Sequence, residues 1–293
     1  MSATSAAVGG DPRAERRRTP WTVRLGSRAG VAGAVLLIVL VVIALAAPLL
    51  APYSPDQIVP SRVLGAPNLA HPFGSDALGR DVLSRVLFAY RASLGIAVGS
   101  VALAMLVGIP LGLLAGYRGG WVSQAIMRPI DLLLALPALL LAISLIAILG
   151  EGSLVALVAI AIIYMPILAR VVRASTLVVR EQPFVAAARA RGVSSTGAMI
   201  RHVLPNAIGP ALVQATVLMG FAIQVEAALS FLGLGVQPPT PSLGLMLLDG
   251  YQVLQQAWWV DVFPGLAIAI TVLAFMLLGD GLRHRYDPSG VSQ

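Results

Sequence analysis

The sequence predicts an all-α integral membrane protein with six transmembrane helices. Three observations lead there: 58% of the 293 residues are hydrophobic, only 11% are charged, and long apolar runs recur along the whole chain. Soluble domains carry about 25% charged residues, and a chain this apolar, with a mean hydropathy of +0.87, cannot cover its own surface with polar groups. In a bilayer every backbone polar group must be satisfied within the protein, so each run is read as a helix.

Taken in order, residues 1–28 form a polar tail carrying Arg13, Arg16, Arg17, Arg18, Arg24 and Arg28. The apolar run 29–50 exceeds the ~7–15 residues of a signal-peptide core and precedes further spans, so it is a first transmembrane helix. Residues 51–91 make an outer segment. Residues 92–282 hold five more spans of about 20 residues each, at 92–116, 130–149, 153–172, 208–232 and 262–281. An inner loop at 117–129, a tight turn at 150–152, a long inner loop at 173–207 and an outer segment at 233–261 join them. Residues 283–293 are a second tail.

Orientation follows from arginine, which supplies all 20 basic residues because the chain has no lysine. With the N-terminus inside, 16 arginines fall in inner segments and only Arg62, Arg80, Arg85 and Arg91 outside. Cytoplasmic segments carry the excess of basic residues, so both tails and the 173–207 loop face the cytoplasm.

The same inventory excludes chemistry. Without lysine there is no phosphate-binding P-loop and no Schiff-base amine. Without cysteine there is no disulfide, thiol catalysis or Cys-zinc site. His71, His202 and His284 lie far apart and form no metal-ligating pair. No His, Ser and acid set converges within the spans, so the chain reads as no enzyme, with no cofactor and no metal of its own. The arginines sit at span edges without interleaved aromatics, which argues against nucleic acid.

The long inner loop is the most distinctive segment. Glu181-Gln182-Pro183 suits a helix start, the Ala/Arg-rich stretch Phe184 to Arg191 is a strong helix former, and Gly192 can end it at positive φ. Ser194, Ser195 or Thr196 can cap a second short helix, which is expected to stop before Leu204-Pro205. Two readings stay open: a surface helix pair joining two spans, or a platform for a cytosolic partner. Phe184, Val185, Ala187, Ala188, Arg189, Arg191, Gly192, Leu204 and Pro205 are its candidate residues.

On the outer side, Gly74-Ser75-Asp76-Ala77-Leu78-Gly79-Arg80-Asp81 precedes the second span. Gly74 and Gly79 mark turns, Ser75 or Asp76 can cap a helix starting there, and Asp81 faces Arg85 if the segment is helical. An interfacial helix leading into the span is the plainer reading; a metal site from His71, Asp76 and Asp81 has one imidazole only. Farther on, three prolines between residues 238 and 241 stiffen the exit of the fifth span, residues 242–256 suit an amphipathic helix, and Trp258 and Trp259 read as interface anchors.

Glu226 is the one carboxylate placed deep in a span. A buried acid is costly there and marks a wet path or a bundle interior. Ser230, four residues on, shares its stripe, and Gln224 lies on the same span. Gln224, Glu226 and Ser230 are therefore candidate path-lining residues; the alternative is a hydrogen bond that holds the bundle. Asp131 with Arg128 and Asp280 with Arg283 read as edge ion pairs. Gly95, Gly99, Gly108, Gly112 and Gly116 let another helix approach the second span, in this chain or a partner, while Pro110, Pro137 and Pro166 should bend spans two to four.

Three of these segments carry a resemblance. Ala187, Ala188, Gly192, Leu204 and Pro205 fit the spacing of the permease signature Glu-Ala-Ala, three residues, Gly, nine residues, Ile-x-Leu-Pro, with Ala186 standing in for Glu and His202 for Ile. The 74–81 segment resembles the Gly-Thr-Asp-x-x-Gly-Arg-Asp motif of dipeptide/oligopeptide permeases, with Ser75 in place of Thr. Glu226 to Ser242, Phe263 to Ile268 and Leu277 to Arg283 resemble the C-type subunit of the same class. The chain thus resembles an ABC importer permease of the binding-protein-dependent dipeptide/oligopeptide class, with a type I importer fold.

That resemblance implies half of a translocation path in a bacterial plasma membrane and a coupling helix at 184–191. It implies as partners a homologous second permease, two cytosolic ATPases that hold ATP and Mg, membrane lipid, and an external binding protein that delivers a peptide. Nickel, glutathione and other small solutes are the alternative cargoes. A self-contained secondary transporter or channel is the more distant alternative, since it would need an ionisable relay across several spans.

Overall fold

A computed structural model of the chain describes residues 28–286. The arginine-rich tail up to residue 27 and the last residues, from 287, lie outside them. The described chain is helical apart from turns and one isolated antiparallel bridge, Ser75 to Asp81.

The elements are α1 (Arg28–Leu50), a short 3-10 turn (Pro60–Arg62), α2 (Val82–Arg118), α3 (Gly120–Ala135), α4 (Ala138–Leu149), α5 (Ser153–Arg180), α6 (Pro183–Ala190), α7 (Ser195–Ala198), a π-helical turn (Met199–Val203), α8 (Leu204–Ala207), α9 (Gly209–Phe231), α10 (Leu243–Tyr251) and α11 (Trp259–Tyr286). Five of these, α1, α2, α5, α9 and α11, are long and apolar enough to cross a membrane. α3 and α4 pass the same test only as a pair, bent by 98° at their break, the geometry of a broken span or a re-entrant loop.

That bend corrects the straight span expected at 130–149. Leu136 has extended backbone (φ −90°, ψ 139°), as a residue before proline is driven to adopt, and Pro137 has no N–H to continue the ladder. The expected inner loop 117–129 also shrinks to one turn at Gly119 and Gly120, both at positive φ.

Two other boundaries move. α2 starts at Val82, not 92, because Asp81 caps it, accepting from the Ser84 amide at 2.8 Å; the polar residues Ser84, Arg85 and Arg91 hide this first part from a hydropathy reading. α5 runs on to Arg180 rather than stopping at 172, its arginines extending the helix beyond the hydrocarbon. Leu204-Pro205 is no stop either. The π turn passes the chain into α8, where Pro205 occupies a first-turn position whose N–H would be unpaired anyway.

α2 and α5 run parallel and share the most extensive packing of the described chain. A Cβ added at Gly108 would lie 2.8 Å from the Met165 carbonyl oxygen and one at Gly116 2.8 Å from that of Arg173, while one at Gly112 would meet the carbonyl of Ala169. Positions 108, 112 and 116 face 165, 169 and 173 in register, so the glycine row serves this chain's own α5. α1 lies on α11, where Gly33 faces Leu277 and Leu278 and Gly281 faces Gly30. One apolar core joins α1, α2, α4, α5, α9, α10 and α11. A smaller inner cluster joins Leu113, Val172, Val185, Val203, Ala207 and Ala211. α1 turns Val35, Ile38, Val42, Leu45 and Leu49 outward, as a lipid-facing helix should.

Candidate functional site

The inner loop forms a two-faced platform. α6 buries Val185 and Ala188, three residues apart, at 1% and 0% exposure. Val185 packs into the inner cluster with residues of α2, α5 and α9, and Ala188 is buried on the same face of α6. Phe184, Ala186, Ala187, Arg189 and Arg191 stay exposed, and neither Arg189 nor Arg191 forms an ion pair with another described residue. Leu204 is half-buried against the same cluster and Pro205 is exposed. The nine predicted residues therefore divide: Val185, Ala188 and Leu204 seat the platform, while Phe184, Ala187, Arg189, Arg191 and Pro205 present it.

Gly192, the ninth, ends α6 at φ +85°. Its N–H donates to the Arg189 carbonyl at 3.0 Å and that of Val193 to Ala188 at 3.2 Å, the paired bonds of a Schellman cap. Ser194 then caps α7 by accepting from the Gly197 amide at 3.2 Å. Behind the platform, Arg180 at the end of α5 donates to the Gly116 carbonyl at 2.7 Å and to Glu181 at 2.9 Å. Its guanidinium neutralises the exposed carbonyl end of α2 and ties α5, α2 and the start of α6 together. Arg173 donates to Ser123 of α3 at 3.0 Å. Asp131 pairs with Arg170 of α5, not with Arg128 as the i, i+3 spacing suggested, because the α3 face carrying Asp131 packs toward α5.

The three candidate path residues separate. Ser230 donates to Glu226 at 2.8 Å, as their shared stripe predicts, but both are 0% exposed. They belong to an enclosed polar knot with Ser93 of α2 and Ser242, both also fully buried. The Ser93 hydroxyl accepts from the Leu243 amide at 3.3 Å, Ser242 caps α10 through the Leu245 amide at 3.2 Å, and Ser230 accepts from the Val236 amide. Glu226 and Ser230 thus sit in a buried joint that seats α10. Gln224, two residues away on a different face, is exposed.

The outer segment is a knot of turns, not an interfacial helix. Asp76 accepts from the Leu78 and Arg80 amides, both at 2.9 Å, and pairs with the Arg80 guanidinium at 2.6 Å. Arg80 reaches on to Asp249 of α10 at 3.1 Å. Arg85, only 2% exposed, lies 3.7 Å from both Asp76 and Asp249; it does not face Asp81, whose carboxylate takes the helix cap and the His71 imidazole at 2.8 Å. His71 also stacks on Tyr53 and bonds Arg62. Trp258 is exposed as expected of an interface anchor, but Trp259 is buried, its indole N–H donating to the Ser75 carbonyl at 3.1 Å. The Arg80–Asp249 pair makes this cluster a latch between residues 169 apart in sequence. The density of acids and arginines at 76–85 was its only sequence signal. Among the described residues no three His, Cys, Asp or Glu side chains gather as metal ligands.

Comparison with known proteins places this geometry. A family model described as the binding-protein-dependent transport system inner membrane component matches residues 108–289. A second, the N-terminal transmembrane domain of oligopeptide transport permease C, matches residues 25–70. A dipeptide transport system permease protein of Alkalihalophilus pseudofirmus is 42% identical over 262 residues, covering 89% of this chain and 86% of that protein. A glutathione transport system permease protein of Pectobacterium atrosepticum is 42% identical over 276 residues, 92% of each. A di/tripeptide transport system permease protein of Pseudomonas aeruginosa is 41% identical over 274 residues, 92% of this chain and 90% of that one. The crystal structure of an amino acid ABC transporter with histidines superimposes with a TM-score of 0.55 at 17% identity, covering 69% of this chain and 94% of that one; the likeness is one of fold.

Proposed function

Since the chain belongs to the family of binding-protein-dependent transport system inner membrane components, the permease subunits of ABC importers, we propose that it forms half of a path for di- and oligopeptides and takes its driving force from separate ATPases at α6. The observation that carries the reading is the seating of α6. One face is locked into the inner cluster. The other offers an aromatic, small residues and arginines without ion-pair partners among the described residues to the cytosol.

The mechanical chain is short. Two cytosolic ATPases grip the exposed face of α6 as they close on ATP, which they hold with Mg; this chain contributes no group to that chemistry. α6 follows α5 after the two-residue join at Glu181 and Gln182, and Arg180 holds α5 to the end of α2. The register of Gly108, Gly112 and Gly116 against α5 makes α2 and α5 move as one body, because sliding would drive backbone into backbone. Val185 passes the same displacement to α9 through the inner cluster. The path then opens between this chain and a homologous second permease, and an external binding protein delivers the substrate. Both tails and α6 lie in the cytoplasm of a bacterial inner membrane on this reading.

The cargo is a peptide in the broad sense. Relatives of equal identity are named for dipeptides and for glutathione, and both cargoes carry a peptide backbone with a free ammonium and carboxylate. The second reading, glutathione itself, rests on that equality. The test is uptake by the reconstituted importer carrying Gly192→Pro or a deletion of 184–191. We expect membrane insertion to persist while peptide uptake and substrate-stimulated ATP hydrolysis are lost. Normal uptake in either variant overturns the coupling role.

A further inference from the structure

Where the inner ends of α2, α3 and α6 meet, the chain leaves a cavity of about 660 Å³. Arg118, the last residue of α2, Arg180, the last of α5, and Arg189 of α6 all line it. The one acid on its wall, Glu181, is already held by Arg180 at 2.9 Å. Arg118 and Arg189 have no ion-pair partner among the described residues. The wall also includes the first amides of α3, which have no side-chain cap. Two uncovered guanidiniums with surplus donors form a receptor for an anion with several oxygens.

The neighbourhood says which anion. α5 has 28 residues, about 42 Å of helix, which matches a bilayer of about 40–45 Å with its headgroups. Arg180 at its end therefore reaches headgroup depth when α5 crosses upright from the opposite headgroups. At the mouth stands Trp121, 79% exposed, in the position where tryptophan prefers the lipid–water boundary. Leu132, 72% exposed, lies eleven residues further along the same stripe of α3. One face of α3 thus runs from the cavity mouth to acyl-chain chemistry.

We propose that this cavity binds the phosphate headgroup of an anionic phospholipid, with Arg118 and Arg189 as its principal ligands. The lipid bridges the α2–α3 turn to α6, so the inner leaflet takes part in holding the coupling helix. Only the choice of leaflet and that last consequence rest on the function proposed above; the binding itself does not.

The experiment is native mass spectrometry of the delipidated, purified importer complex titrated with phosphatidylglycerol or phosphatidylcholine. We expect phosphatidylglycerol to be retained over phosphatidylcholine, and the preference to weaken about tenfold for each arginine removed in Arg118→Gln and Arg189→Gln. Arg118→Lys with Arg189→Lys should keep part of it, and Arg201→Gln, exposed and outside the cavity wall, should keep all of it. Equal retention of both lipids, or an unchanged preference in the double Gln variant, overturns the proposal. Displacement of phosphatidylglycerol by millimolar inorganic phosphate gives the pocket to a soluble anion and overturns the lipid assignment. Normal uptake in the double Gln variant with the lipid preference lost would count against the lipid's part in holding the coupling helix and leave the binding itself standing.

Discussion

At residue scale, the deep carboxyl of Glu226 shows how far a side chain's role depends on what the fold stacks over it. Its stripe with Ser230 was legible, because the helix period alone puts them together. What was not legible is that α10 folds back so that Ser242 and Ser93 close the pocket, since those contacts span up to 150 residues. Ser230→Ala leaves both Glu226 and the Val236 amide short of a partner in a dry site. We expect a loss of about 1–3 kcal/mol of stability, read as a lowered unfolding temperature in detergent. Gln224→Ala, on the exposed face, should change stability by less than about 0.5 kcal/mol. Gly192 is the opposite case, where local chemistry sufficed: a Cβ there meets nothing within 4 Å, so only its φ of +85° demands glycine. Gly192→Ala should cost about 1–2 kcal/mol through backbone strain alone.

At the scale of elements, the α2–α5 pair is held by absent side chains. Gly112→Leu must push α5 off the Ala169 carbonyl, and we expect a loss of about 1–3 kcal/mol with reduced folded yield. Gly95→Ala, where nothing lies within 4 Å, should be neutral in the same assay. The four-residue spacing of these glycines was visible in sequence, but not which helix they meet. The broken third span was hidden for a related reason: hydropathy averages over Leu136-Pro137 and reports one apolar run. The outer latch was hidden by distance. Arg85→Met leaves Asp76 and Asp249 with Arg80 alone, and we expect a loss of roughly 3 kcal/mol. Thermal unfolding would report it, with Trp259 fluorescence shifting as the α10–α11 corner loosens.

At the scale of the molecule, the chain is fastened at two ends. The latch of Arg80, Arg85 and Asp249 closes the outer side, and the inner cluster with Arg180 joins α6 to the spans. The all-helical membrane architecture was read from composition and hydropathy, both properties of the chain as a whole. The division of the platform into seat and face could not be, because an Ala/Arg-rich helix shows its inward side only when something packs against it. The chain has no cysteine, so single cysteines can be placed without background. The most direct test of the central claim is cross-linking in the assembled importer at four positions of α6. Cysteines at Phe184, Ala186 and Ala187 should link to the ATP-binding subunits and react with impermeant reagents only from the cytoplasmic side, while one at Val185 should do neither. Links confined to lipid-borne reagents, or labelling of Ala187→Cys from the outer side, would contradict the account.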